Sequence, residues 1–159
     1  MANCPYPRHR SSSSKAGLLL VRAYVQLGIT AVELRLLGFR HFLRRVPASS
    51  GDQQPTPVSL QRARHYARWI ETASRGYPWG VHCLERSTLL HLWLRRDGMP
   101  SELRIGVRRQ GRGVAAHAWV ELAGTIVSDP PAAVAPFTPL FAEHDDSYVG
   151  IEPLSAARE

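Results

Sequence analysis

The sequence predicts a single α+β domain, with helices first and a small antiparallel sheet after them. The hydrophobic residues follow a helical period over the first part of the chain and a strand period after Pro100. The 159 residues are enough for one hydrophobic core and too few for two. Hydrophobic residues make up 44% of the chain, which is typical of a globular protein and excludes a wholly disordered one.

The N-terminal part is predicted to be a tail followed by helices. Residues 1–16 combine two prolines with four consecutive serines, a composition that indicates a disordered tail. Over residues 17–46 polar side chains recur at helical steps, and Gly28 and Gly38 allow either one long helix or two shorter ones. These helices are expected either to pack as a core hairpin or to offer an amphipathic surface to a membrane or a partner.

The first apolar run also bears on where the protein is located. Arg22, Glu33 and Arg35 interrupt this run, which argues against a signal peptide and excludes a spanning helix. Cys4 and Cys83 are too few for a disulfide framework, so a reducing compartment fits best. We therefore expect a cytoplasmic protein.

Residues 76–159 are expected to pack together with the helical region, residues 17–75, as one compact domain. Gly76 and Pro78 separate two helices, and Asp97-Gly98 ends the second of them. In chain order the prediction is a loop at 47–57, helices at about 59–74 and 83–96, strands at about 102–108, 115–122 and 125–128, and loop with short helix over the last 30 residues.

The net charge of +7 suggests nucleic-acid binding, so its distribution along the chain matters. Residues 1–80 carry 12 Lys and Arg against 3 acidic residues, whereas residues 81–159 carry 8 against 10. The excess is N-terminal, and no aromatic-interleaved basic strand or groove-reading motif accompanies it. We therefore expect no nucleic acid among the partners.

Cys83 is the first candidate for a reactive side chain, because it is predicted to open a helix just after Gly80. The thiolate is the nucleophilic form of cysteine, and the free N–H groups and dipole of a helix N-terminus stabilise an anion there. The same N–H groups suit the oxyanion of an acyl transfer. The alternative for an isolated cysteine is a small buried hydrophobic residue.

His117 and Asp129 are the second and third candidates. His117 lies in a predicted strand that turns at Ala123-Gly124 into the strand that ends at Asp129. The two residues lie at comparable distances from this turn, so their side chains are expected to touch across the hairpin. A carboxylate there would orient the imidazole and stabilise its cation, as in a catalytic triad. A strand histidine by itself is more often structural.

These segments together resemble a known family. The run PWGVHCLERSTLLHLWLRRDGMPSELRIGVRR, followed by AHAWVEL and SDP, is similar to the leader-peptidase (B2) proteins of lasso-peptide biosynthesis, which belong to the transglutaminase-like superfamily. The close similarity covers about a third of the chain. It implies a transglutaminase-like, papain-like cysteine protease fold, with Cys83 as nucleophile, His117 as general base and Asp129 as the residue that orients the base. Glu85 stands where relatives commonly have proline.

The resemblance also implies partners and a reaction. The expected substrate is a lasso precursor peptide whose leader is removed, and the expected partners are a leader-recognition protein and an asparagine-synthetase-like cyclase. Cysteine chemistry of this kind needs neither metal nor organic cofactor. An amine-accepting transglutaminase and a non-catalytic basic scaffold remain the alternatives.

Two further groups of residues are weaker candidates. Cys4, His9, His82 and Cys83 lack the paired spacing of a zinc site. The four tryptophans are expected in the core, with two of them, Trp79 and Trp119, as candidates for lining a cleft beside the nucleophile.

Overall fold

The computed structural model describes residues 13–47 and 55–142. It confirms the α+β fold, with helices preceding a four-stranded antiparallel sheet. The elements in chain order are α1 (Ser13–Leu36), α2 (Phe39–Leu43), α3 (Pro57–Ser74), α4 (Cys83–Arg96), β1 (Ser101–Gln110), β2 (Gly113–Leu122), β3 (Thr125–Ile126), α5 (Pro131–Val134) and β4 (Thr138–Ala142).

The first helix, α1, begins earlier than the composition predicts. It starts at Ser13, so the assignment of residues 13–16 to a disordered tail is wrong, while residues 1–12 lie outside the described part of the chain. The helix runs through Gly28 without a break. Gly38, whose φ is 78°, separates it from α2, because a left-handed backbone cannot continue a helix.

Gly28 stays in the middle of a helix because a tyrosine needs the space above it. The Tyr77 hydroxyl donates a hydrogen bond to the carbonyl of Tyr24, and the two tyrosine rings stack with centroids 4.4 Å apart. A Cβ atom added at Gly28 would lie 2.7 Å from the Tyr77 hydroxyl oxygen. This contact fastens the segment between α3 and α4 to the first helix.

By length and composition, one helix of the described residues is able to cross a membrane, namely Ala16–Leu36 with a mean hydropathy of 1.4. Contrary to the prediction, Arg22, Glu33 and Arg35 therefore do not exclude a spanning helix by composition. The inner face of α1 is part of the fold, however, since Ala23, Leu27, Thr30 and Ala31 are all at most 3% exposed.

Helix α4 packs against the sheet, and α3 packs against α4 and α1. Thr56 caps α3 by accepting a hydrogen bond from the Ser59 N–H at 3.1 Å, and Pro57 occupies its first turn. Helix α4 is buried along most of its length. The core joins α1, α3 and α4 to one face of the sheet, and its largest members include Leu27, Ile70, Leu89, Leu90, Trp93, Leu103 and Leu122.

The sheet has the strand order β3-β2-β1-β4, and its last strand was not predicted. Residues 138–142 pair antiparallel with β1, although the sequence predicts only loop and short helix after Pro130. Pro139 argues against a strand in the sequence, because proline lacks the N–H donor and is tolerated only at a sheet edge. Residues 143–159, the rest of that predicted segment, lie outside the described residues.

The hairpin between β2 and β3 turns at the predicted position. Ala123 and Gly124 both have positive φ, at 45° and 75°, as a two-residue hairpin turn requires. Strand β3 is shorter than predicted, since the register pairs only Glu121 with Ile126 and Leu122 with Thr125. The chain after Ile126 therefore bends at 128–129 instead of continuing the ladder.

Candidate active site

Cys83 is the first residue of α4 and is half-buried. The preceding loop holds Gly80 at a φ of 69°, which only glycine adopts without strain, and Trp79 is 57% exposed. The prediction that Cys83 opens a helix is confirmed. Its thiol therefore lies at the end of the helix where free N–H groups favour an anion.

Glu85, in the first turn of the same helix, is satisfied by two neighbours. Its carboxylate accepts a hydrogen bond from the His82 N–H at 2.9 Å, which caps the helix. The other carboxylate oxygen lies 3.9 Å from the Arg35 guanidinium on α1. Only 6% of Glu85 is exposed, so this negative charge stays close to the start of α4 and is partly offset by Arg35.

Ser87 joins the nucleophile helix to the histidine strand. It lies one turn after Cys83, on the same face of α4, and its hydroxyl donates to the Ala118 carbonyl at 2.8 Å. Ala118 follows His117 directly in β2. Among the residues that the structure describes, the Cys83 thiol makes no hydrogen bond to His117, and such bonds are often loose without substrate.

His117 and Asp129 meet as the hairpin predicts. The Nε2 atom of His117 lies 3.3 Å from Oδ1 of Asp129, and both side chains are about four-fifths buried. The distance fits an ion pair, but the two groups are not aligned for a hydrogen bond. Asp129 reaches His117 from the bend after β3, not from a strand position.

Ser128 holds the carboxylate, and sequence reasoning missed it. Its hydroxyl donates to Oδ2 of Asp129 at 2.5 Å and accepts from the Val120 N–H at 2.9 Å. The Val127 N–H also bonds the Val120 carbonyl at 3.0 Å, which continues the hairpin by one residue. A serine beside an aspartate gives no signal by itself, because the bond depends on where the strand ends.

Aromatic rings surround the imidazole. Phe137, in the segment between α5 and β4, has its ring centroid 5.3 Å from that of His117, and the Arg108 guanidinium lies 5.1 Å from the Phe137 ring. Trp119 lies nearly parallel to His117 with centroids 6.3 Å apart. Trp119 is only 1% exposed, so it supports the histidine from the interior and does not line an open cleft.

Gly106 is the cross-strand partner of His117. A Cβ atom there would lie 2.8 Å from the Trp119 ring and 2.9 Å from the Thr138 carbonyl. Because residue 106 is a glycine, the Trp119 ring and strand β4 are able to lie close to the backbone of β1 opposite His117. Glu121, the other acid on the His117 face, accepts from the Trp119 indole at 2.8 Å and pairs with Arg104 at 3.3 Å.

An open groove of about 720 Å³ runs between α3 and the segment after β2, and it reaches Asp129. Arg64 and Arg68, one helical turn apart on α3, line it together with Ile126. Neither arginine forms an ion pair with an acidic side chain of the described residues.

Within the described residues, no group of three or more His, Cys, Asp or Glu could hold a metal ion. Cys4 and His9 lie outside them.

Comparison with known proteins identifies the family of the fold. Neither the curated proteins nor the solved structures include a significant match to the chain. A family model, described as the transglutaminase-like superfamily, matches residues 26–142, which include the C-terminal part of α1 and everything from α2 to β4. The chain belongs to the transglutaminase-like superfamily.

Proposed function

We propose that this protein is a cysteine peptidase that removes the leader from a ribosomally made lasso precursor peptide. Cys83 is the nucleophile, His117 the general base and Asp129 the residue that orients the base. The observation that carries the proposal is the pairing of His117 with Asp129 at 3.3 Å. The strand that bears His117 is also hydrogen-bonded to the Cys83 helix through Ser87. The superfamily is compatible with either peptidase or transglutaminase chemistry.

The reaction follows from the order of these groups. His117 takes the thiol proton, and the sulfur of Cys83 attacks the carbonyl carbon at the leader–core junction. Backbone N–H groups at the start of α4 stabilise the oxyanion. The junction C–N bond breaks as His117 returns the proton to the core's amine. Water, deprotonated by His117, then hydrolyses the thioester and releases the leader as a carboxylic acid.

The groove beside Asp129 is lined by neither Cys83 nor His117, so it would hold a part of the peptide away from the scissile junction. An extended segment is able to lie between α3 and the edge strand β3, where its backbone reaches unpaired strand groups. Arg64 and Arg68 would favour acidic side chains in that segment. The free amine that cleavage leaves on the core is the group that an asparagine-synthetase-like cyclase would join to an Asp or Glu side chain.

The proposed setting is a cytoplasmic complex. A leader-recognition protein would present the precursor, since this chain gives no sign of a separate recognition domain within residues 13–47 and 55–142. No organic cofactor or metal is required for the proposed steps.

Two other functions are distinguished by experiment. An amine-accepting transglutaminase would use the same three residues and form an amide with an added amine. A non-catalytic scaffold would work through its basic N-terminal helices and would not need the thiol.

The test is incubation of the protein with a leader–core peptide, the recognition protein and a primary amine, followed by mass spectrometry of the products. We expect hydrolysis at one junction, its loss in Cys83→Ala and its retention in the matched variant Cys4→Ala. Amine adducts without hydrolysis would contradict the peptidase. Absence of any product with the wild-type protein would contradict both enzymes, and formation of the mature peptide in cells that carry only Cys83→Ala would support the scaffold.

A further inference from the structure

The outer face of α1 is an apolar stripe that nothing in the described structure covers. Its members recur at steps of three or four residues, which puts them in one line along the helix. Each is between 52 and 76% exposed: Leu18, Val21, Val25, Ile29, Val32 and Leu36. The stripe is about 27 Å long at 1.5 Å per residue. Scattered apolar residues are normal on surfaces, but a continuous line marks an interaction surface.

The opposite face of α1 is fixed to the protein. Besides the buried Ala23 and Leu27, Gln26 accepts a hydrogen bond from the Trp93 indole, and the Arg22 guanidinium lies 4.7 Å from the Trp93 ring. A helix held in this way cannot enter a bilayer lengthwise without breaking these contacts. It is able to lie in the plane of a surface with its outer stripe inserted.

Charge indicates what that surface is. Residues 13–47 hold six basic residues and one acidic residue, Glu33, which pairs with Arg45. Arg40 and Arg44, on and just after α2, are exposed beyond the C-terminal end of the stripe. A second copy whose α1 packed in the parallel direction would bring two such positive segments together, which opposes that arrangement. An anionic surface is favoured.

The composition of the stripe separates a lipid surface from a protein. The six residues are all aliphatic, and they form a convex ridge on a single helix. Protein interfaces concentrate their binding energy in Trp, Tyr and Arg seated in pockets. We propose that α1 docks in the plane of an anionic membrane surface, with the stripe inserted among acyl chains and the arginines of α2 on the headgroups.

Vesicle sedimentation of the purified full chain tests this docking. With phosphatidylcholine vesicles containing about one third phosphatidylserine we expect binding that pure phosphatidylcholine does not support, because each Arg near an anionic surface raises the affinity roughly fivefold. The variant Val21→Gln, Ile29→Gln, Leu36→Gln should bind at least about tenfold more weakly. The matched variant Val58→Gln, Val114→Gln, Leu140→Gln removes three similarly exposed aliphatic residues elsewhere and should bind as the wild type does.

Charge variants give the second comparison. Arg40→Gln with Arg44→Gln should weaken binding roughly 25-fold, whereas Arg109→Gln with Arg112→Gln, at the tip of the β1–β2 hairpin, should not. Equal binding of wild-type and stripe variants, or no vesicle binding by the wild type, overturns the proposal. A dimer in solution that the stripe variant dissociates overturns it in favour of a second copy. Resistance of membrane-bound protein to alkaline carbonate overturns it in favour of a spanning helix.

Discussion

The hydroxyl of Ser128 donates a 2.5 Å hydrogen bond to Oδ2 of Asp129, the carboxylate that faces His117. The same hydroxyl accepts from the Val120 N–H, so the carboxylate is tied to the strand that carries the histidine. One carboxylate oxygen is thereby fixed, and the other, Oδ1, is left to face the imidazole. In the proposed reaction Ser128 is a positioning residue, since it acts on His117 through Asp129.

Replacing Ser128 tests this role. Ser128→Ala should lower kcat for leader cleavage by about tenfold or more, because a hydrogen bond to a charged group is worth about 1.5–3 kcal/mol. KM should change little, and Ser128→Thr, which keeps a hydroxyl, should recover most of the rate. The measurement is steady-state cleavage of the leader–core peptide, with thermal unfolding as the control for the fold. An unchanged kcat in Ser128→Ala would show that the bond is incidental.

Glu85 should restrain the nucleophile. Its carboxylate lies in the same first helical turn as Cys83, where a negative charge opposes a neighbouring thiolate. Glu85→Gln keeps an acceptor for the His82 N–H and removes the charge, so alkylation of Cys83 by iodoacetamide at fixed pH should accelerate roughly two- to fivefold.

Arg35→Gln provides the opposite change. It removes the cation 3.9 Å from Glu85 and should slow alkylation, by less than about twofold because Arg35 is half exposed. Peptide mapping separates the modification of Cys83 from that of Cys4. Slower alkylation in Glu85→Gln would mean that the carboxylate helps to position the thiol.

Gly106 should not tolerate a side chain. A Cβ atom would meet the Trp119 ring and the Thr138 carbonyl inside 3.0 Å, directly across from His117. We expect Gly106→Ala to displace Trp119 or β4, to destabilise the fold by about 1–3 kcal/mol and to lower cleavage activity. Gly113→Ala is the matched control in the same sheet, since its nearest contact would be an ordinary 3.8 Å. Urea unfolding of both variants decides the matter, and equal stabilities would contradict the steric argument.

Local patterns were sufficient to predict the positions of Cys83 and His117. Each lies in a segment whose period is clear, so α4 and β2 have the predicted bounds within two residues. The approach of Asp129 to His117 was also predicted, but by a longer strand than the one that forms. Ser128, Phe137 and Gly106 could not be predicted in the same way, because their contacts depend on the bend after β3 and on the unpredicted strand β4.

The alkaline stability of the fold should depend on Tyr77. Burial, and next the neighbouring Tyr24, raises the pKa of Tyr77 above its ordinary value near 10. The raised pKa means that the fold favours the neutral phenol. The contribution of Tyr77 to the free energy of unfolding is therefore fully present below pH 10 and is lost as the pH rises through the folded-state pKa. Tyr77→Phe should therefore cost about 1 kcal/mol at neutral pH and less above about pH 10. Urea unfolding at both pH values measures this difference. Burial also raises the pKa of Tyr66, but Tyr66 is present in both proteins and cancels from the comparison.

The contact between Gly28 and Tyr77 should reverse the usual effect of alanine in a helix. Replacing glycine by alanine in a helix normally stabilises it by up to about 1 kcal/mol. Gly17→Ala should do so in α1, because nothing lies within 4 Å of the added Cβ.

Gly28→Ala should instead destabilise the wild type, since the new Cβ would lie 2.7 Å from the Tyr77 hydroxyl oxygen. In the Tyr77→Phe background the nearest atom becomes a ring carbon at 3.5 Å, which is ordinary contact, so there the same substitution should stabilise. Urea unfolding of the four proteins of this double-mutant cycle gives the coupling energy. If Gly28→Ala also destabilises the Tyr77→Phe protein, the contact with the Tyr77 hydroxyl is not the reason why residue 28 is a glycine.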